Sequence, residues 1–145
     1  MTNNLEYLRE EKDLLSKDMA KKLQVTTSVY SEWENNKLSI PTERIYELSE
    51  IFAVNADYLM GLTSKKIKIQ INKKLNNQLI AKRAKEARLS MNLTMRNLAS
   101  KLNTSSSAIS NYENNKNLIL SAFLIKLSTI SHYSLDYLLG RTNTK

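Results

Sequence analysis

The chain has 145 residues, with 22 Lys and Arg against 14 Asp and Glu, one His and no Cys, giving a formal net charge of +8 and a pI of about 9.6. This balance points to a polyanionic partner, while the lack of Cys excludes a disulfide scaffold and, with His132 alone, leaves no ligand set for a structural zinc or other metal. There is no apolar run of about twenty residues and no secretory signal, so the expected protein is cytoplasmic, with no membrane partner.

In chain order, a first helix is predicted from Asn4 to about Asp13 with Leu5 and Leu8 inward, and a second from Leu14 to Leu23 with Leu14, Met19 and Leu23 packed and Ala20 allowing close helix approach. Gln24-Val25-Thr26 forms a turn. Next comes a short helix within Val25-Thr26-Thr27-Ser28-Val29-Tyr30-Ser31-Glu32-Trp33-Glu34-Asn35-Asn36-Lys37. Thr26 can cap its first turn, Tyr30 and Trp33 stand three apart and plug one face into a core, and Asn36 closes it in the left-handed conformation that Asn tolerates. Ser39-Ile40-Pro41 opens a fourth helix with Ile45, Leu48 and Phe52 at helical spacing, and a fifth begins near Val54-Asn55 and stops at Gly61.

The basic stretch 64–78 follows. Ile67, Ile69 and Ile71 alternate with polar residues, the period of a half-buried strand. Two readings stand: a solvated linker, or a short strand over 66–71 that pairs with its twin in a second chain, since a lone strand leaves backbone groups unsatisfied. A longer helix is predicted from about Asn72 to Arg88, with Leu75, Leu79, Ala84 and Ala87 packed.

From there the chain repeats itself. Residues 5–63 lie on residues 84–142 without a gap, roughly a third of the pairs being identical. Thr26 becomes Ser105, Tyr30 and Trp33 become Ile109 and Tyr112, and the only two glycines, Gly61 and Gly140, coincide. The predicted domains are therefore 1–63 and 79–142, joined by 64–78, and each is large enough for a small helical core without metal or disulfide.

Leu93-Thr94-Met95-Arg96-Asn97-Leu98-Ala99, the helix from Ser105 to Glu113 and Asp136-Tyr137-Leu138-Leu139-Gly140, in that order, resemble the helix-turn-helix domain of the Cro and phage-repressor type, also called the xenobiotic-response-element type. The resemblance covers both repeats. It implies an all-α fold of two tandem five-helix domains, binding to double-stranded DNA and regulation of transcription in bacteria or their phages. By analogy the second helix of each domain crosses the DNA backbone and the third enters the major groove. The family commonly has Gly where this chain has Gln24 and Asn103, so its turns are made with less permissive residues.

Within that frame the reading face of the second domain is Ser105, Ser106, Ser107, Ala108, Ser110 and Asn111. Asn can bond adenine through two atoms, Ser can bond base edges or phosphate, and Ala offers a methyl-sized contact to thymine. Without the frame, a Ser-rich helix face is merely solvated. Met95 and its counterpart Ser16 stand where the family often carries a DNA-touching Gln, which puts that contact in doubt. Arg96 and Lys17 are the better phosphate candidates, and Lys116, Lys101 and Lys37 weaker ones. The first domain's face is Thr26, Thr27, Ser28, Val29, Ser31 and Glu32. Glu32 replaces Asn111, so this face is either selective for a cytosine amino group or turned away from DNA.

The resemblance also implies two structural ion pairs, Arg9 with Glu34 and Arg88 with Glu113, joining helix one to the end of helix three. Charge divides unequally: 7 basic against 11 acidic residues in 1–63, 5 against none in 64–78, and 10 against 3 in 79–145. The second domain is thus expected to bind phosphate, and the acidic first to be repelled or to hold a protein partner. Leu118-Ile119-Leu120, followed by Ala122, Phe123 and Ile125, give the second domain more apolar surface than its fold needs. They are read as an interface, between repeats or between chains; the family's habit of dimerising through its C-terminal helices favours a homodimer.

The leading function is a sequence-specific DNA-binding regulator of transcription, with repression the expected mode. The alternative is an interaction protein of the antirepressor or antitoxin-like kind, acting through the acidic domain. An enzyme is the poorest reading: two glycines allow no phosphate loop, no paired-carboxylate pattern stands out, and no cofactor is implied.

Overall fold

The computed structural model describes residues 2–69 and 74–145, and these form two compact units, Met1–Ile71 and Asn72–Lys145. Their described residues are helical: α1 (Leu5–Glu11), α2 (Ser16–Leu23), α3 (Thr27–Glu34), α4 (Thr42–Ile51) and α5 (Ala56–Leu59) in the first, α6 (Asn77–Ser90), α7 (Met95–Leu102), α8 (Ser106–Glu113), α9 (Ser121–Ser131) and α10 (Leu135–Leu138) in the second. The all-α fold with five helices per repeat is as expected.

In the first unit the core gathers Leu5 and Leu8 of α1, Met19, Ala20 and Leu23 of α2, Tyr30 and Trp33 of α3, Ile45 and Leu48 of α4, and Leu59 of α5. The second repeats this with Ala84 and Ala87, Leu98, Ala99 and Leu102, Ile109 and Tyr112, Leu124 and Leu127, and Leu138. Because Ala84 and Ala87 replace two leucines, α6 contributes less bulk. It recruits Ile80 and Ala81 one turn earlier, which is why α6 has 14 residues where α1 has 7.

Several helix ends differ from expectation. Asp13 takes a left-handed conformation (φ 54°), so α1 stops at Glu11. Backbone N–H of Leu15 donates to the Asp18 carboxylate (2.8 Å), which delays α2 to Ser16 and leaves Leu14 half-buried rather than in the core. The helix expected from Asn72 begins at Asn77, because the Asn76 side chain caps it by accepting from Leu79 N–H at 3.1 Å. Ahead of that cap, 74–76 are not helical.

The stretch read as a strand forms only one isolated bridge among the described residues, Val54 with Lys68. Part of its described backbone is bonded inside its own unit. Asn55 N–H donates to Ile67 carbonyl (3.0 Å), Ile69 N–H to Ala53 carbonyl (3.3 Å), and the Asn55 side chain bonds both Ile67 N–H (2.8 Å) and Lys65 carbonyl (3.1 Å). Lys66 then reaches Glu11 at 2.9 Å, and this hydrogen bond holds the Glu11 carboxyl below its usual range. Ile67 is exposed and Ile69 half-buried; Ile71 lies outside the described residues.

Ten described residues have positive φ, and they fall in five matched pairs: Asp13 with Asn92, Gln24 with Asn103, Asn36 with Asn115, Ala53 with His132, and Gly61 with Gly140. The backbone path is thus shared even where the residues differ. At Gly61 (φ +74°) a Cβ would also run into the Thr2 carbonyl oxygen, so no side chain fits. Gln24 (φ 57°) has neither glycine's freedom nor the local hydrogen bonding that lets Asn103 (φ 56°) occupy the same region. We expect Gln24→Gly to stabilise the first unit by about 0.5–1 kcal/mol and Asn103→Gly to do less for the second. The single tryptophan, Trp33, lies in the first unit, so its fluorescence in a urea melt reads that unit selectively.

Candidate nucleic-acid interface

Helices α2 and α3, like α7 and α8, pack closely and meet through a turn with a left-handed residue, Gln24 or Asn103. The third helix of each unit is fixed at both ends. At its start Thr26 Oγ1 accepts from Val29 N–H and Ser105 Oγ from Ala108 N–H, each at 3.1 Å. At its finish Asn36 and Asn115 are left-handed; Lys37 N–H returns to Glu32 carbonyl (2.9 Å) and Lys116 N–H to Asn111 carbonyl (2.8 Å), a Schellman closure. Glu32 and Asn111 therefore have anchored backbones, with the Glu32 side chain exposed and that of Asn111 half-exposed.

Exposure sorts the remaining positions. Ser106 and Ser107 in α8, and Thr27 and Ser28 in α3, are fully exposed near the helix start. Ser105 and Thr26 are occupied as caps. Ala108 and Ser110 are half-buried, and Ser110 Oγ already accepts from Asn114 Nδ2 at 3.2 Å, which ties it to the helix end; Ser31 is half-buried, its carbonyl bonded by Asn35. Met95 and Ser16 open α7 and α2 half-buried, whereas Arg96 and Lys17, one residue on, are exposed, as are Lys101, Lys116 and Lys37.

What holds each third helix against the first is a guanidinium. Arg88 Nε and Nη2 donate to the two carboxylate oxygens of Glu113 at 2.7 and 2.9 Å, and Nη1 donates to Leu93 carbonyl at 2.8 Å. Arg9 does the same with Glu34 (2.6 and 3.2 Å) and Leu14 carbonyl (2.7 Å). The four charged side chains are at most 11% exposed. The hydrogen bond to its glutamate raises each guanidinium above its usual range. These forks consume Glu34 and Glu113 before either could repel phosphate.

The charge map corrects the expectation drawn from whole-repeat totals. Eight of the first unit's eleven carboxylates lie on 6–13 and 43–57, outside the helix-turn-helix. Residues 16–37 carry four lysines against Asp18, Glu32 and Glu34, of which Asp18 accepts from Leu15 N–H and Glu34 is paired. The matching residues 95–116 carry three cations against the paired Glu113. Around the reading helices the two units therefore differ far less than their totals suggest.

The apolar group also needs correction. Ile119 is only 4% exposed and belongs to the second unit's own core, because Leu120 rather than Ile119 takes the N-cap position of α9. Phe123 is half-buried against Tyr112 (ring centroids 6.2 Å apart), and Leu118 and Ile125 are half-buried. The outward residue of the run Leu118-Ile119-Leu120 is Leu120, 58% exposed.

A second cluster was not foreseen. Buried Arg83 bonds the carbonyls of Tyr137 and Thr142 (both 2.6 Å) and lies 4.0 Å from the Tyr137 ring centroid, while Tyr137 OH donates to Glu86 at 2.6 Å. At the matching place in the first unit Asn4 bonds Tyr58 carbonyl at 2.6 Å. Asn4 and Arg83 thus anchor the last helix of their own units from equivalent positions, but they differ in type and lie just ahead of the aligned repeat, so no sequence signal marked them.

No helix among the described residues is long and apolar enough to cross a membrane. We expect Glu113→Ala to destabilise the second unit by about 3 kcal/mol, since it strands a buried guanidinium, and to weaken DNA binding only through unfolding. An unchanged thermal melt with lost binding would refute this role.

Comparison with known proteins agrees with this geometry. The chain matches the helix-turn-helix family model twice, over residues 5–59 and 85–138. No curated protein matches it significantly. The two matches take in most of the chain and end in the same helix of each unit, and the chain therefore belongs to the helix-turn-helix family of Cro-like, xenobiotic-response-element DNA-binding regulators, of which it carries two tandem copies.

Proposed function

We propose that this regulator is a sequence-specific repressor whose second unit reads the major groove with α8. The observation that carries this reading is the composition of one helix-turn-helix: Ser106, Ser107 and Asn111 lie on a helix capped at both ends, Arg96, Lys101 and Lys116 of the same segment are exposed, and its one carboxylate, Glu113, is withdrawn into a fork with Arg88. Asn111 supplies the donor and acceptor that adenine matches, and the serines adapt to base edge or phosphate. Arg96, in the first turn of α7, meets a phosphate where backbone N–H groups also point outward. Repression needs only that the site be occupied.

A homodimer through the outer surface of α9 fits the same reading, with Leu120 as the residue that gains most from being covered. A second reading, in which the first unit holds a protein partner, draws on the exposed Glu43 and Glu47 of α4 and on Glu6 and Glu10 of α1.

Two outcomes are expected. In fluorescence anisotropy from about 50 to 200 mM salt, affinity for duplex DNA falls steeply, and Arg96→Ala reduces the log–log salt slope by about 1; binding indifferent to salt would overturn the proposal. Leu120→Arg should lower the sedimenting mass without changing the melt. A mass unaffected by that substitution would remove α9 as the dimer contact.

A further inference from the structure

The two reading helices are built alike and carry different letters. Each begins at a hydroxyl cap, ends in a Schellman closure, and is held by an Arg–Glu fork, so position 32 in the first unit and position 111 in the second occupy equivalent places on equivalent scaffolds. The same helix-turn-helix segment carries Lys17, Lys21, Lys22 and Lys37, all exposed, and Glu32 is exposed as well. The acidity that argued against this face sits mainly on α1, α4 and α5. Four exposed lysines offer contacts to phosphate, and Glu32 is the exposed carboxylate of α3.

We infer that the first unit is a second base-reading surface with its own target, in which Glu32 selects cytosine at the position where Asn111 of the second unit selects adenine. The inference rests on the proposed reading of DNA by α8 and extends it to α3. A carboxylate has only acceptors to offer. In the major groove cytosine presents the N4 amino group with no acceptor beside it, whereas adenine sets N7 next to its amino group and guanine and thymine present acceptors to Glu32. Among the four bases, cytosine is the one that offers a donor without a competing lone pair. The phosphates repel the carboxylate at every base, and only the cytosine amino group offsets this, so Glu32 discriminates by penalty as much as by attraction. The target of the whole chain is then a composite of two unlike half-sites, and the repeat of the protein is not mirrored by a repeat in the DNA.

The test is selection of bound duplexes from a randomised library with the full-length chain, compared for wild type, Glu32→Asn, Glu32→Gln and Asn111→Ala. Both changes at position 32 supply an amide that matches adenine. They should convert one C·G preference to A·T and weaken binding to the wild-type sequence by about 5- to 150-fold, while the other half-site stays as it was. Unchanged Trp33 fluorescence melts establish that the fold is intact, and the near-isosteric Gln guards against a failure peculiar to Asn. If both position-32 variants enrich the wild-type sequence with wild-type affinity while Asn111→Ala loses an adenine, α3 does not read DNA and this inference falls alone. If the chain enriches no sequence, it falls together with the reading of α8.

Discussion

Each unit depends on one three-pronged contact. The Arg9 or Arg88 guanidinium leaves the first helix of its unit, grips both oxygens of a glutamate at the end of the reading helix, and turns its remaining nitrogen to the carbonyl of the chain just before the helix-turn-helix. Three segments distant in sequence are thereby fixed by one planar group. Lysine cannot do this, because an ammonium lacks the flat fork that engages two oxygens and a third acceptor at once. The small cores around it, built on α-helices of four to fourteen residues, settle which faces are buried, but burial is non-directional and does not by itself set the pitch of α3 or α8. The forks do.

They also explain how a helix-turn-helix face can be close to carboxylates and still suit a polyanion. Glu34 and Glu113 are neutralised from behind by residues on another helix, and Asp18 is turned back onto Leu15 N–H. Net charge per repeat is therefore a poor measure of the potential near the reading helix. What counts is which charges remain unpaired and exposed there, and on that measure the units differ mainly by Glu32 and Asp18 of the first.

Much of this was legible from the residues. The unbroken repeat, the two coincident glycines and the hydroxyl residues ahead of short helices gave element order, caps and the all-α fold, because those signals are local and depend on backbone chemistry alone. Helix starts governed by a side chain reaching back, as at Asp18 and Asn76, were misplaced by a few residues. Alternation at Ile67 and Ile69 suggested a strand. The partner turned out to be the 53–55 loop, whose Asn55 matches the segment's donors and acceptors, and no periodicity could reveal that tertiary contact. Ile119 left the expected surface run for a similar reason: which of two adjacent apolar residues is swallowed depends on where the helix begins. Arg83 could not be placed from sequence, since a cation on an amphipathic helix reads as solvated until the Tyr137 carbonyl is found beneath it.

The five matched pairs of left-handed residues separate what the fold demands from what it merely permits. The turns demand a backbone angle, and Asp, Asn, Gln, Ala, His and Gly all meet it; the outer positions of α3 and α8 demand still less, since their side chains meet solvent. A repeat with this architecture can therefore differ in the exposed residues of α3 and α8 while both copies keep one backbone path. Change at such a surface costs little in foldability, because the angles that build the turns and the forks that seat the helices lie elsewhere.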